Sequence, residues 1–150
     1  MNDVDFTIIE HLQQNARITN RSLSEAIHLA PSTTLSHVAE LENSGVITGY
    51  HARVDLRSLG RNLQALVFVK LSPKTSEAVA EFVELMWKMD SVIGIFLISG
   101  ADDALIHVAV GSPEELRETV LDDISSLPSV VDQRTSILFD HQVKTVVARR

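Results

Sequence analysis

The sequence predicts an α+β fold in two parts: an N-terminal helix-turn-helix of winged-helix type and a C-terminal ferredoxin-like βαββαβ domain. Three observations carry this expectation. Up to Leu41 the apolar residues recur at three- and four-residue spacing, with a break at His28-Leu29-Ala30 and a proline directly after it. From Leu63 onward, runs of branched residues and amphipathic stretches follow the order strand, helix, strand, strand, helix, strand. With 150 residues and 45% apolar content, the chain has room for two small cores and too much apolar surface to stay unfolded.

Between Val4 and Asn15, Val4, Ile8, Ile9 and Leu12 lie at helical spacing. Asp3 and Asp5 suit the start of that helix, where the backbone dipole is positive. Thr19 is an N-cap for a second helix with Leu23, Ala26 and Ile27 inward. His28-Leu29-Ala30 forms the turn. Pro31 fits the first position of a third helix, where its missing N–H costs nothing. Leu35, Val38 and Leu41 are its expected core face, so Ser32, Thr33, Ser36, His37 and Glu40 point outward. Gly45 ends the helix. Val46 to Leu56 alternates loosely through Ile47, Tyr50, Ala52 and Val54 and reads as a short strand or wing, with a linker around Arg57 to Asn62. The expected division is residues 1–50 as the helix-turn-helix, 51–62 as a linking strand and linker, and 63–150 as the second domain.

In that second domain, Leu63 to Leu71 is a strand, and Pro73-Lys74-Thr75-Ser76 opens a helix carrying Val79, Phe82, Val83 and Met86. Val92 to Ser99 and Ala104 to Val110 are strands joined by the hairpin signal Gly100-Ala101-Asp102-Asp103. Ser112-Pro113-Glu114-Glu115 is a capping box for a helix reaching about Ser125. Val130 to Phe139 is a fourth strand, and Gln142 to Val147 reads as a fifth. Two helices cover one sheet face, so the other needs a partner subunit. Trp87 with Met86 and Met89 reads as helix packing.

Several classes are excluded or disfavoured. The chain has no cysteine, so disulfides and thiolate metal sites are out. The N-terminus is acidic where a signal peptide is basic, and the longest apolar run, Val92 to Ile98, is too short to span a membrane. A cytoplasmic protein without membrane attachment is expected. None of the six histidines sits at a metal-binding spacing, and no phosphate loop, nucleophile elbow or catalytic carboxylate pair stands out, so no metal, cofactor or enzymatic activity is expected.

Two groups of residues point to chemistry. Hydroxyls at Ser32, Thr33 and Ser36 and the imidazole of His37 can meet base edges or phosphates if the third helix enters a DNA major groove. Arg21 and Arg53 are flanking phosphate contacts, with Arg17 and Arg57 as further candidates. The net charge of −7 means that DNA affinity rests on local placement of few groups. The Gly100-x-x-Asp103 turn is an effector candidate: glycine exposes backbone N–H groups that hold a carboxylate, and Asp103 accepts from an ammonium. Asp102 beside it raises the negative potential, which favours a cationic or strongly polar effector over leucine, unless its side chain points to solvent.

The chain resembles the Lrp/AsnC, or feast/famine, transcriptional regulators. The resemblance is carried by Asp5 to Leu12, Arg17-Ile18, Pro31-Ser32-Thr33, Leu41-Glu42-Asn43-Ser44-Gly45-Val46-Ile47, Gly49-Tyr50, Leu59-Gly60, Ser99-Gly100-Ala101-Asp102-Asp103 and Asp132-Gln133-Arg134-Thr135. It implies a DNA-binding regulator whose C-terminal sheets form a homodimer, in many members an octamer, with an amino-acid effector between dimers. It also implies effector contacts from the stretch Ser99 to Asp103 and from Thr135, with Ser136 as a neighbour. The recognition helix departs from the family pattern. Ser36 and His37 stand where two basic residues are usual, no lysine or arginine occurs from Ser32 to Ser44, and Ala30 replaces the serine that caps the helix. Two other readings of this architecture are a tetrapyrrole (sirohaem-type) decarboxylase and an oligomerisation partner that does not bind DNA.

Overall fold

The computed structural model describes residues 1–149. The chain forms two compact units. One is Met1–Arg53 together with the residues from Gln142 onward, and the other is Val54–His141.

The first unit contains α1 (Asp3–Gln14), α2 (Asn20–Ala26) and α3 (Pro31–Asn43). Asn2 caps α1 reciprocally: its side chain accepts from the Asp5 N–H at 3.0 Å, and the Asp5 carboxylate accepts from the Asn2 N–H at 2.7 Å. Thr19 caps α2 as its sequence position predicts. Asn20 Nδ2 donates to the Pro31 carbonyl at 2.9 Å, which ties the start of α2 to the start of α3. The turn between them holds His28 in the left-handed region at φ 56°. Gly45, at φ 73°, ends α3.

Ile8, Leu23 and Leu41 are the buried centre, with Val4, Ile9, Leu12, Ile18, Ile27, Val38 and Ile47 around them. Two expectations about this core are corrected. Leu35 is 59% exposed, and the fully buried residue on that turn is Thr34. At about 100° per residue, Leu35 lies roughly 120° around the helix from Leu41, whereas Thr34 lies within roughly 20° of it. The Thr34 hydroxyl is satisfied by donating to the Ala30 carbonyl at 3.1 Å. Likewise Ala26 is exposed while Ser24 is buried, its hydroxyl donating to the Arg21 carbonyl at 2.7 Å.

The expected wing is absent. Val46 to Leu56 forms no strand among the described residues. It runs as coil: the Ile47 N–H donates to the Leu41 carbonyl at 3.0 Å, and the Tyr50 hydroxyl donates to Glu42 at 2.9 Å. With Gly49 at φ 152° and no strand beside it, the loose alternation has nothing to pair with. The expected fifth strand is also absent. Residues 142–149 leave the sheet and return to α1, where the Val147 N–H donates to Gln13 and Arg149 pairs with Asp3 at 2.6 Å. The Arg149 guanidinium also lies 4.3 Å over the Phe6 ring.

The second unit has the strand-helix order expected of a ferredoxin-like domain. After a short 3-10 turn at Arg57–Leu59 come β1 (Leu63–Leu71), α4 (Ser76–Trp87), β2 (Val92–Leu97), β3 (Ala104–Val110), α5 (Pro113–Glu118) and β4 (Val130–Leu138). The antiparallel sheet has strand order β2-β3-β1-β4. Its inner face is sealed: Ala65, Val67, Val69 and Leu71 of β1 and Ala104, Ile106, Val108 and Val110 of β3 lie beneath Phe82 and Met86 of α4 and Leu116 of α5. Ser112 caps α5, but Glu115 accepts from the Gly111 N–H at 2.7 Å instead of closing the box on Ser112. The expected helix to Ser125 widens into a π-helix over Thr119–Ile124. Leu116, Val120 and Ile124 recur every four residues and all face the core, and a wider turn keeps a four-residue repeat on one side. Trp87 corrects another expectation: it is 65% exposed, and only its neighbours Met86 and Met89 pack inward.

The opposite sheet face carries Gln64, Leu66, Phe68 and Lys70 of β1 and Leu105 and His107 of β3, all half-buried, with Phe96 of β2 exposed. His107 Nε2 lies 2.9 Å from Gln64 Oε1, and its ring meets that of His141 edge-on at 5.5 Å. Burial, and secondarily His141, pushes His107 below the usual histidine value.

Two predictions follow from this packing. Ala30 leaves α3 without a side-chain cap, so Ala30→Ser should raise the stability of the first unit by about 1 kcal/mol in chemical denaturation. The second concerns pH. The unfolded chain protonates its histidines near about pH 6.5, whereas folded His107 resists until lower pH. Stability is therefore complete above about pH 6.5 and declines as pH falls toward the folded value. His107→Gln should flatten that part of the pH profile, and an identical profile in the variant would show that the imidazole is not responsible.

Candidate functional site

The outward face of α3 assembles as the spacing predicts. Ser32, Thr33, Ser36 and His37, with Glu40, line one shallow recess. Ser36 Oγ donates to the Ser32 carbonyl at 3.1 Å, so its free lone pairs are left to accept. Arg21 is not part of this recess. It lies on α2 in an exposed pair with Glu25 at 3.0 Å, an arrangement that holds the guanidinium only weakly. Arg53 is exposed in the coil after α3.

His37 is not a loose surface side chain. Its Nδ1 lies 2.8 Å from Asp5 Oδ1 on α1, and both side chains are largely covered. The Asn2 backbone N–H, and after it His37, hold the Asp5 carboxyl below the usual aspartate value against the opposing effect of partial burial. Asp5 is the partner of His37 that sequence reading missed. It appears there only as a favourable charge at a helix start, and no local pattern connects residues 32 positions apart.

At the hairpin, Asp103 is a structural latch as well as an effector candidate. Its N–H donates to the Val69 carbonyl at 2.9 Å, and its carbonyl accepts from Ile98 at 3.0 Å. Its carboxylate accepts from the Leu71 N–H at 3.0 Å and from Lys74 Nζ at 2.7 Å. Lys74 and then the Leu71 N–H hold that carboxyl below its ordinary range. Ser99, Gly100 and Ala101 form the exposed crest, with Gly100 at φ 138°, where a side chain is strained.

Asp102 does not point to solvent. It is 8% exposed and accepts from Arg134 Nη2 at 2.7 Å. The Arg134 guanidinium also stacks 4.0 Å over the Phe68 ring. Each carboxylate of the turn thus has its own cation, which offsets the negative potential expected from adjacent acids. The pairing joins the turn to β4 beside the two other effector candidates. Those two diverge: Ser136 pairs in register with Leu66 on the open face, whereas Thr135 pairs with Val67 and projects from the other. The Thr135 hydroxyl donates to Gln133 at 3.2 Å. Arg134 stands inside the motif Asp132-Gln133-Arg134-Thr135, so both it and Asp102 were visible in the sequence while their pairing was not.

Residues 1–48 match a model of winged helix-turn-helix DNA-binding domains, and residues 64–148 match the Lrp/AsnC ligand binding domain. The chain belongs to the Lrp/AsnC family. It is a DNA-binding transcriptional regulator with a small-molecule-binding domain. Similar proteins include the HTH-type transcriptional regulator AldR of Mycolicibacterium smegmatis, 31% identical over 94% of this chain and 82% of that protein. The leucine-responsive regulatory protein of Haemophilus influenzae is 30% identical over 95% of this chain and 86% of its own length. Among solved structures, a transcriptional regulator of Neisseria meningitidis crystallised as an L-Met complex superimposes with a TM-score of 0.90 at 28% identity, covering 98% of this chain and 96% of that one. No described helix of this Lrp/AsnC protein is long and apolar enough to cross a membrane.

Removing Arg134 leaves a nearly buried carboxylate without its partner. Arg134→Ala should therefore destabilise the second unit by about 1–3 kcal/mol. The same change in an Asp102→Asn background should cost less, and thermal unfolding of the four proteins in the cycle measures the coupling. Strict additivity would show the two side chains to be independent.

Proposed function

We propose that this regulator reads a specific operator as a homodimer and responds to an amino acid held at the Gly100–Asp103 turn. The observation that carries the reading is the outward recess of α3, where three hydroxyl side chains and one imidazole converge on a helix of the right kind to enter a major groove. Arg21 and Arg53 serve as flanking phosphate contacts. Dimerisation through the open sheet face covers Leu66, Phe68, Leu105 and Phe96, apolar side chains that one chain leaves partly wet. A dimer presenting two reading helices then matches half-sites on one face of the duplex. Higher assembly into octamers is the family's further step and is open to direct measurement of mass in solution. Such a protein works in the cytoplasm.

The effector reading rests on the exposed crest Ser99-Gly100-Ala101, whose backbone can approach a carboxylate closely, with Asp103, Thr135 and Ser136 nearby in the same unit. Because Asp102 and Asp103 already hold Arg134 and Lys74, a cationic side chain has no unpaired acid waiting for it. An apolar groove lined by Val79, Ala80, Val83 and Leu97 opens beside Lys74. An uncharged, apolar amino acid is therefore the favoured effector, in keeping with the methionine complex of the Neisseria relative. The relatives named above are transcriptional regulators, and none carries the decarboxylase name that the architecture alone allows.

A mobility-shift titration with the protein's own upstream region, combined with calorimetry against methionine, leucine, lysine and arginine, tests this. Retardation of that DNA and tighter binding of methionine or leucine than of lysine are expected. Linkage then requires operator DNA to change effector affinity by the same factor by which effector changes operator affinity. Lysine or arginine binding more tightly would overturn the effector class, and failure to retard the DNA with or without amino acids would overturn the regulator reading.

A further inference from the structure

The imidazole of His37 is held in a way that an ordinary surface histidine is not. Asp5 keeps its carboxyl below the usual aspartate range, so it is ionised and accepts only. The 2.8 Å contact therefore places a proton on His37 Nδ1. That fixes the ring plane and the tautomer together. Nε2 is then the one remaining polar atom of the ring. It has no hydrogen-bond partner among the described residues, and it is not sealed from solvent, since no buried side-chain nitrogen is left without a partner. The recess it borders is otherwise lined by the hydroxyls of Ser32, Thr33 and Ser36 and by Glu40.

We infer that His37 is a specificity-determining residue of α3, held by Asp5 so that its Nε2 meets one base edge. This rests on the DNA-binding reading above. With Nε2 unprotonated, the ring offers the DNA an acceptor, and its partner in the major groove is the amino group of adenine or cytosine. With Nε2 protonated, it offers a donor, and its partner becomes a major-groove acceptor: guanine N7 or O6, adenine N7 or thymine O4. The Asp5 carboxylate on α1 faces the ring from behind and compensates the cation. Glu40, one turn along α3, adds a second negative charge at the recess, and no residue of α2 lines it among those described. A lysine at this position would be a donor on a flexible stem, whereas the buttressed imidazole presents one fixed atom. Asp5 is a positioning residue here, acting through the ring.

In vitro selection from a randomised duplex pool, run with full-length protein, tests the inference. Wild type should show a base preference of roughly three- to tenfold at one half-site position, the size of a single hydrogen bond. His37→Ala should lose the preference at that position alone and keep the rest of the motif. Asp5→Ala should weaken the preference at the same position while circular dichroism confirms an intact helical unit. A motif unchanged in His37→Ala, or a full preference kept in Asp5→Ala, overturns the inference and leaves DNA binding standing. A pool in which no sequence is enriched overturns the sequence-specific reading beneath it as well.

Discussion

The two-residue alternation of the central strands is the constraint on which the second unit depends. β1 and β3 each place every other side chain on the helix-covered face, and those positions are filled by Ala, Val, Ile and Leu with no measurable exposure or nearly none. Each fully buried branched side chain contributes about 1.5–3 kcal/mol, and a one-residue slip would move all of them to the other face at once. That energy gap locks the register. The locked register in turn sets Phe68 opposite Arg134 and Leu66 opposite Ser136, and it brings the Asp103 N–H to the Val69 carbonyl. The geometry of the Gly100–Asp103 turn is thus inherited from the core.

Charge is used sparingly, and the chain is acidic overall. Several of its cations are engaged internally: Lys74 with Asp103, Arg134 with Asp102, and Arg149 with Asp3. In the first unit the same economy appears on the outward side of α3, which carries hydroxyls and an imidazole and no lysine or arginine. On the proposed DNA-reading role, a surface of that kind would draw little from counterion release, and directional hydrogen bonds would take a larger share of recognition. Asp5 contributes twice to that arrangement. It closes the cap of α1 through Asn2 and orients His37 on α3.

Much of the fold was legible from residue patterns. Thr19, Pro31, Gly45 and Ser112 mark element ends because capping and backbone chemistry are local. The strand limits of Leu63–Leu71 and Ala104–Val110 match because a buried strand repeats every two residues. Where reading failed, the cause was a partner or a phase that local pattern does not hold. Leu35 looked like core because it is leucine, but the helical angle set by Val38 and Leu41 turns Thr34 inward instead. Val46 to Leu56 and Gln142 to Val147 have strand-like composition, yet a strand exists only where another lies alongside, and these segments found α3 and α1 instead.

The candidate residues divide the same way. Sequence alone determined that Ser32, Thr33, Ser36, His37 and Glu40 share the outward side of α3 and that Gly100 to Asp103 makes a hairpin turn, since both follow from patterns within a dozen residues. Tertiary structure decided what those residues are free to do. It paired Asp102 with Arg134 across 32 positions and His37 with Asp5 across the same separation, and so turned two apparently open polar groups into oriented ones. Hydrogen-bond partners are chosen by distance in space, and only the packed cores of the two units fix that distance.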